Sequence, residues 1–185
     1  MRFLGALTIL LTACGRGAPT PVPAPDPYPL RAGARWTYRS ELGASVVREI
    51  PRTVERDGRI YFEMIFRLPL LGDRPLLLRK APEGVVANHG GREQTILHLP
   101  LQPGRCWRID FPDQEIADCT VEGEEDRTVL GERRRCVRLR VARTPRSGGR
   151  STTDFEWYAD GIGLAAMRVT FAGVTQTFSL ESYER

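Results

Sequence analysis

The chain has 185 residues, 41% of them hydrophobic, with a formal net charge of +4 and a pI near 9.1. That length supports one domain with a core of its own, and the charge surplus is too small for a polycation built to hold nucleic acid. Arginine carries almost all of the positive charge, because Lys80 is the only lysine.

Met1 and Arg2 give a positive start, residues 3–11 form a short apolar run, and Leu11-Thr12-Ala13-Cys14 closes it with small residues before a cysteine. The run is too short for a transmembrane helix, which needs ~20 apolar residues. Its layout is that of a secretory signal. Leu-Thr-Ala-Cys resembles the lipobox of bacterial lipoproteins. That resemblance implies cleavage before Cys14 and acylation of its sulfur and amine. The mature protein is then expected in the bacterial cell envelope, outside the cytoplasm and anchored to a membrane by lipid. Residues 1–13 are the signal peptide, and residues 14–29 are the lipidated cysteine and a tether. In the tether Pro19, Pro21, Pro23, Pro25, Pro27 and Pro29 alternate with small or polar residues. Such a segment favours extended polyproline II and holds a domain roughly 30–45 Å from the membrane.

Residues 30–185 read as one β domain. Residues 34–39 alternate, with large side chains on one face. Residues 46–55 and 59–68 flank Asp57-Gly58, a two-residue hairpin signal. Short strands are predicted at 76–80, 84–88 and 95–99, punctuated by Pro82 and by Gly90-Gly91. Residues 106–111 place Trp107, Ile109 and Phe111 on one face, and 116–121 follow a turn. Residues 134–142 set Val137, Leu139 and Val141 against Arg138 and Arg140. Strands at 155–158, 165–171 and 174–183 complete the chain. No long stretch of the domain has helical periodicity. The pattern predicts an all-β fold, an antiparallel meander forming an open or half barrel with few or no helices. Trp36, Trp107 and Trp157 are expected in its core.

Two patches carry a further resemblance. Tyr28-Pro29-Leu30-Arg31-Ala32-Gly33-Ala34-Arg35-Trp36-Thr37-Tyr38 resembles the opening of many small bacterial envelope lipoproteins. Glu156-Trp157-Tyr158-Ala159-Asp160-Gly161-Ile162-Gly163-Leu164 resembles their Trp-Tyr-Ala segment. Together they are similar to TapB-like and DUF3108-like proteins of unknown role. The resemblance implies a structural group and brings no catalytic residue with it. By analogy alone, LolA/LolB-type half barrels hold acyl chains.

Chemistry is sparse. His89 and His98 are the only histidines, and no nucleophile motif accompanies them. Glu122, Glu124, Glu125 and Asp126 lack calcium-loop spacing and read as a solvated turn. No Cys/His spacing suggests a metal, and no cofactor is expected. Cys106 and Cys119 are the first choice for a disulfide, with Cys119 and Cys136 the alternative. Strict alternation argues against the first pair, because it puts Cys106 outside and Cys119 inside. Arg134, Arg138, Arg140, Arg143 and Arg146 form a candidate face for an anionic partner.

The expected function is a non-enzymatic binding or interaction module, with a lipid or hydrophobic ligand, or an envelope protein, as partner and no nucleic acid. The alternatives are a structural or assembly subunit of an envelope complex, and a hydrolase whose site one sequence does not reveal.

Overall fold

The computed structural model describes residues 25–68, 72–111, 114–171 and 173–185. The predicted signal, Cys14 and tether residues 15–24 lie outside the described residues. Twelve strands follow one another: β1 (Arg35–Ser40), β2 (Ser45–Arg56), β3 (Arg59–Leu68), β4 (Gly72–Ala81), β5 (Gly84–His89) and β6 (Arg92–His98), then β7 (Cys106–Phe111), β8 (Glu115–Val129), β9 (Glu132–Pro145), β10 (Thr152–Ala159), β11 (Gly163–Phe171) and β12 (Val174–Glu184). No helix occurs among the described residues. Asp57 and Gly58 turn between β2 and β3 with φ of 51° and 68°, the left-handed pair that a tight hairpin requires.

Each strand pairs antiparallel with its neighbour in sequence, except across one break. The order is β6-β5-β4-β3-β2-β1-β12-β11-β10-β9-β8-β7. The first and last strands therefore meet at the middle of the sheet, from Arg35 opposite Glu184 to Ser40 opposite Phe178. The sheet curls until its edges, β6 and β7, face each other. The expected open or half barrel is thus a nearly closed one. Side chains bridge the seam. The indole Nε1 of Trp107 donates to the Ile96 carbonyl at 3.3 Å. The Gln94 amide, oriented for pairing, donates to the Asp110 carbonyl at 2.6 Å and accepts from the Asp110 N–H at 2.5 Å. A primary amide carries a donor and an acceptor, so Gln94 stands in for one rung of a ladder.

The inner face buries Trp36 and Tyr38 of β1, Ile50 of β2, Met64 of β3, Leu78 of β4 and Leu139 of β9 in one cluster. Trp36 fulfils the core expectation: it is 3% exposed, and its Nε1 donates to the Ile162 carbonyl at 2.7 Å. Trp157 fulfils it as well, 6% exposed and a member of the buried cluster, whereas Trp107 does not. Trp107 is half-buried at the seam. Trp157 is buried on the outer face, where it pairs with Arg138 in register. The Arg127 guanidinium lies 4.2 Å above its ring, and its Nε1 donates to Glu125 at 2.7 Å.

Three further expectations change. Residues 26–29, assigned to the tether, are seated on the barrel, with Tyr28 only 6% exposed. Glu122 to Asp126 belong to strand β8, and the turn comes later, at Leu130-Gly131. Neither disulfide forms, and Cys106, Cys119 and Cys136 are free. Trp107, not Cys106, stands opposite Cys119, so Cys106 and Cys119 point to opposite faces. Cys119 stands opposite Val141, so Cys136 is five residues along β9 and also on the other face.

Outside the barrel, Glu93 of edge strand β6 gathers partners from two other strands. Arg79 donates to it through Nε and Nη2, both at 2.6 Å, Arg59 at 2.8 Å, and the Tyr61 hydroxyl also donates. Arg79 first, then Tyr61, hold the Glu93 carboxyl down at about 2. A depressed carboxylate contributes stability above its unfolded pKa and loses it as pH falls toward the folded one. Unfolding free energy should therefore fall between pH about 4.5 and about 2, and Glu93→Gln should flatten that slope; urea titrations across this range read it. The thiols give a second expectation. Burial pushes Cys119 up to about 12 and raises Cys136 as well. Near neutral pH a thiol reagent should label Cys106 quickly in the folded domain, and Cys119 and Cys136 only after denaturant is added.

Candidate functional site

Alternation decides what enters the barrel. Val46, Arg48 and Ile50 occupy successive inward positions of β2, so a charged residue is carried between two apolar ones. In β10 the inward set is Asp154, Glu156 and Tyr158, because they pair with Val141, Leu139 and Val137. The aromatic residues Phe155 and Trp157 take the outer face instead.

At one end the chain entering β1 lies across the barrel mouth. The Asp26 carbonyl accepts from Gly161 N–H at 2.9 Å, in the turn between β10 and β11. Its carboxylate meets Lys80 Nζ at 2.5 Å, near the end of β4 on the opposite wall. Tyr28 then inserts into the interior. Its hydroxyl accepts from Arg48 Nη2 at 2.5 Å, and its ring lies 6.1 Å from Tyr158. Gly163, at φ +94°, lies beside this plug, and an added Cβ would stand 3.3 Å from Pro29 Cδ. Tyr28, Pro29, Trp36, Tyr38, Arg48, Met64, Gly163 and Leu164 line a small cleft, partly open to solvent, with about 10 Å³ of room, about one water molecule, while Tyr28 is seated.

Arg48 is 6% exposed, and Nη2 reaches only the Tyr28 hydroxyl and Met64 Sδ, the latter at 3.2 Å. Its Nε is buried without a hydrogen-bond partner. Among the described residues no carboxylate forms an ion pair with it. Burial works against its charge, but Tyr28, Tyr38, Tyr158 and Glu156 around it outweigh that and raise its pKa. Burial raises the Tyr28 and Tyr158 phenols.

A polar column continues to the other end. The Tyr158 hydroxyl donates to Glu156 at 2.5 Å. Glu156 lies 3.8 Å from Arg143, which also pairs with Asp154 at 2.7 Å and with Glu115. Arg143 was expected on the anionic-partner face. It lies inside the barrel, because it pairs in register with Ala117 and Thr152 and so shares the face of Val141. The remaining members of that face are on the outside and are paired. Arg134 meets Glu132 at 2.5 Å, Arg138 meets Glu122 at 2.8 Å, Arg140 meets Glu122 at 3.4 Å and Arg146 meets Asp110 at 2.5 Å. Each of these four arginines thus meets a carboxylate, with Glu122 shared by two of them. His89 is exposed, while His98 packs edge-on to Trp107 at 5.5 Å at the seam.

Sequence reading missed Arg48, Tyr28 and the pair Asp154 and Glu156. The signal for Arg48 is its parity with Val46 and Ile50. Val47 on the opposite parity obscures it. In β10 the aromatic parity is the more hydrophobic one, and it misleads.

No protein-family model matches the chain, and no curated protein matches it. Two solved structures share its fold. One is a protein from Bacteroides fragilis, inferred to be exported and described with a YmcC-like fold. It superposes with a TM-score of 0.53 at 12% identity, over 85% of this chain and 98% of that one. The other, inferred to be a lipoprotein, comes from Parabacteroides distasonis. It gives a TM-score of 0.50 at 11% identity, over 88% of this chain and 100% of that one. Identity at this level establishes a common fold and no more.

Removal of the shared cation leaves buried Asp154 and half-buried Glu115 and Glu156 facing one another, whereas an exposed pair contributes little. Arg143→Met should therefore cost about 3 kcal/mol of unfolding free energy. Arg138→Ala should cost less than about 1 kcal/mol, and chemical denaturation of the two variants reads the contrast.

Proposed function

We propose that the protein is a lipid-anchored envelope lipoprotein whose barrel serves as a non-enzymatic binding or interaction module. One observation carries the binding half of this reading: the barrel interior holds a buried guanidinium with incomplete partners, beside a cleft at the mouth. The anchoring half rests on the Leu11-Thr12-Ala13-Cys14 sequence. The names of the two structural neighbours, one inferred to be exported and one a lipoprotein, agree with it. The outer wall supports an anchor rather than a membrane-spanning barrel. Arg39 and Glu181, Arg52 and Glu63, and Arg108 and Asp118 pair across it, where a lipid-facing band would be apolar. Large side chains fill the barrel centre, so a ligand there meets the mouth rather than a wide acyl-chain cavity.

Cys14→Ser should release the protein from the membrane fraction, because two or more acyl chains anchor stably where one is marginal. Fractionation reads this, and full membrane retention of the variant would remove the lipid anchor. Native mass spectrometry of the protein extracted from its membrane tests the binding half. A bound ligand or partner supports it, and an empty monomer counts against it.

A further inference from the structure

We infer that the mouth cleft is a carboxylate-binding site, in which Arg48 is the counter-ion and the Tyr28 hydroxyl holds the place of the ligand. The inference deepens the binding reading above by naming the chemistry of the ligand. It rests on how this protein uses the same group elsewhere. The Nε–H and Nη2–H of a guanidinium point the same way and fit the two oxygens of one carboxylate. Arg79 presents that fork to Glu93, with both contacts at 2.6 Å. Arg108 presents it to Asp118, at 2.7 and 3.0 Å. At Arg48, by contrast, Nη2 is met by a phenol and a thioether, and Nε by nothing.

The exception lies where an unmatched fork costs most. Arg79 and Arg108 are at the surface, whereas Arg48 is buried, and a buried cation is tolerated when an anion and hydrogen bonds complete it. The rest of the cleft is aromatic or apolar, and its polar atoms are occupied. The Trp36 Nε1 donates to the Ile162 carbonyl, and the Tyr38 hydroxyl donates to the Leu164 carbonyl at 2.9 Å. A cation that lies over the Phe66 ring at 4.7 Å and the Tyr28 ring at 5.6 Å, yet whose Nε has no hydrogen-bond partner, selects within such walls a monocarboxylate on an apolar body. A free short-chain acid and the carboxyl end of a peptide share that chemistry. Either would displace the Tyr28 hydroxyl, so the segment from Asp26 to Pro29 is a plug in competition with the ligand.

The test uses the full lipidated chain in a non-ionic detergent, with calorimetry as the readout. Sodium hexanoate probes the free acid, N-acetyl-leucine probes a peptide terminus, and hexanamide is the neutral control. At least one carboxylate should bind, hexanamide should bind at least tenfold more weakly, and the better carboxylate names the source. Tyr28→Phe removes the competing hydroxyl and nothing else. It should tighten carboxylate binding about tenfold, since a hydrogen bond to a charged group contributes roughly a factor of ten or more. The double variant Arg48→Met with Tyr28→Phe leaves no orphan polar group, so it should keep or raise the melting temperature while abolishing binding. The inference is overturned if neither carboxylate binds, if hexanamide binds as well, or if the double variant still binds. It is equally overturned if the double variant loses several degrees of melting temperature, because Arg48 is then a structural group. Should the double variant fail to fold, Tyr28→Phe decides alone, and unchanged or weaker binding sinks the idea. These failures leave the membrane release of Cys14→Ser untouched, and native mass spectrometry judges the wider binding reading separately.

Discussion

The pairing of β1 with β12 is the constraint on which the other features depend. Every other strand pairing is local in sequence, joining a strand to the next one. Local pairing alone would give a curved ribbon with two free edges. Joining the ends of the chain moves those edges to β6 and β7 and brings them face to face. Register irregularities at Thr37/Tyr38, Glu49/Arg52, Val85/Val86, Val121/Gly123 and Trp157/Tyr158 add the local twist that lets twelve strands curl. Closure stops one step short, and Gln94 and Trp107 complete it with side chains in place of a ladder.

Once the barrel closes, parity becomes burial. Arg48, Glu156, Asp154 and Arg143 enter the interior because their neighbours in register do. The protein completes these charges unequally. Arg143 has three carboxylates around it, so its cluster is a satisfied structural network. Arg48 has a phenol and a thioether. This contrast separates a fully paired charge from one whose hydrogen bonding is incomplete. Tyr28 connects that charge to the segment that enters β1.

On the outside the arginine-rich composition is spent on cross-strand pairing. Arg138 and Arg140 share Glu122, while Arg133 and Arg135 meet Asp126. Each exposed pair is worth little by itself. Arginines also cover aromatic surface: Arg127 lies over Trp157, and Arg138 and Arg168 lie 5.7 and 4.3 Å from the Phe155 ring centre. Trp157 is thus buried in the core cluster although its strand position is that of Arg138 in register.

The sequence alone determined the twelve strands and most of their turns, because period-two alternation and Asp57-Gly58-type hairpins are local signals. It also determined the separation of the Cys106 and Cys119 faces, which follows from parity. It did not determine that β1 meets β12, since no local pattern encodes a pairing between the two ends of a chain. Nor did it determine which parity faces inward in β10, where Phe155 and Trp157 look like the inward set but Asp154 and Glu156 share the face of Val141 and Leu139. That choice depends on partners in β9 and β8, chiefly Arg143, which neutralise the acidic side only after the strands are side by side. Tyr28 shows the same limit. Within a proline-rich stretch it reads as tether, and only the finished barrel supplies the mouth, the guanidinium and the ring of Tyr158 that bury it.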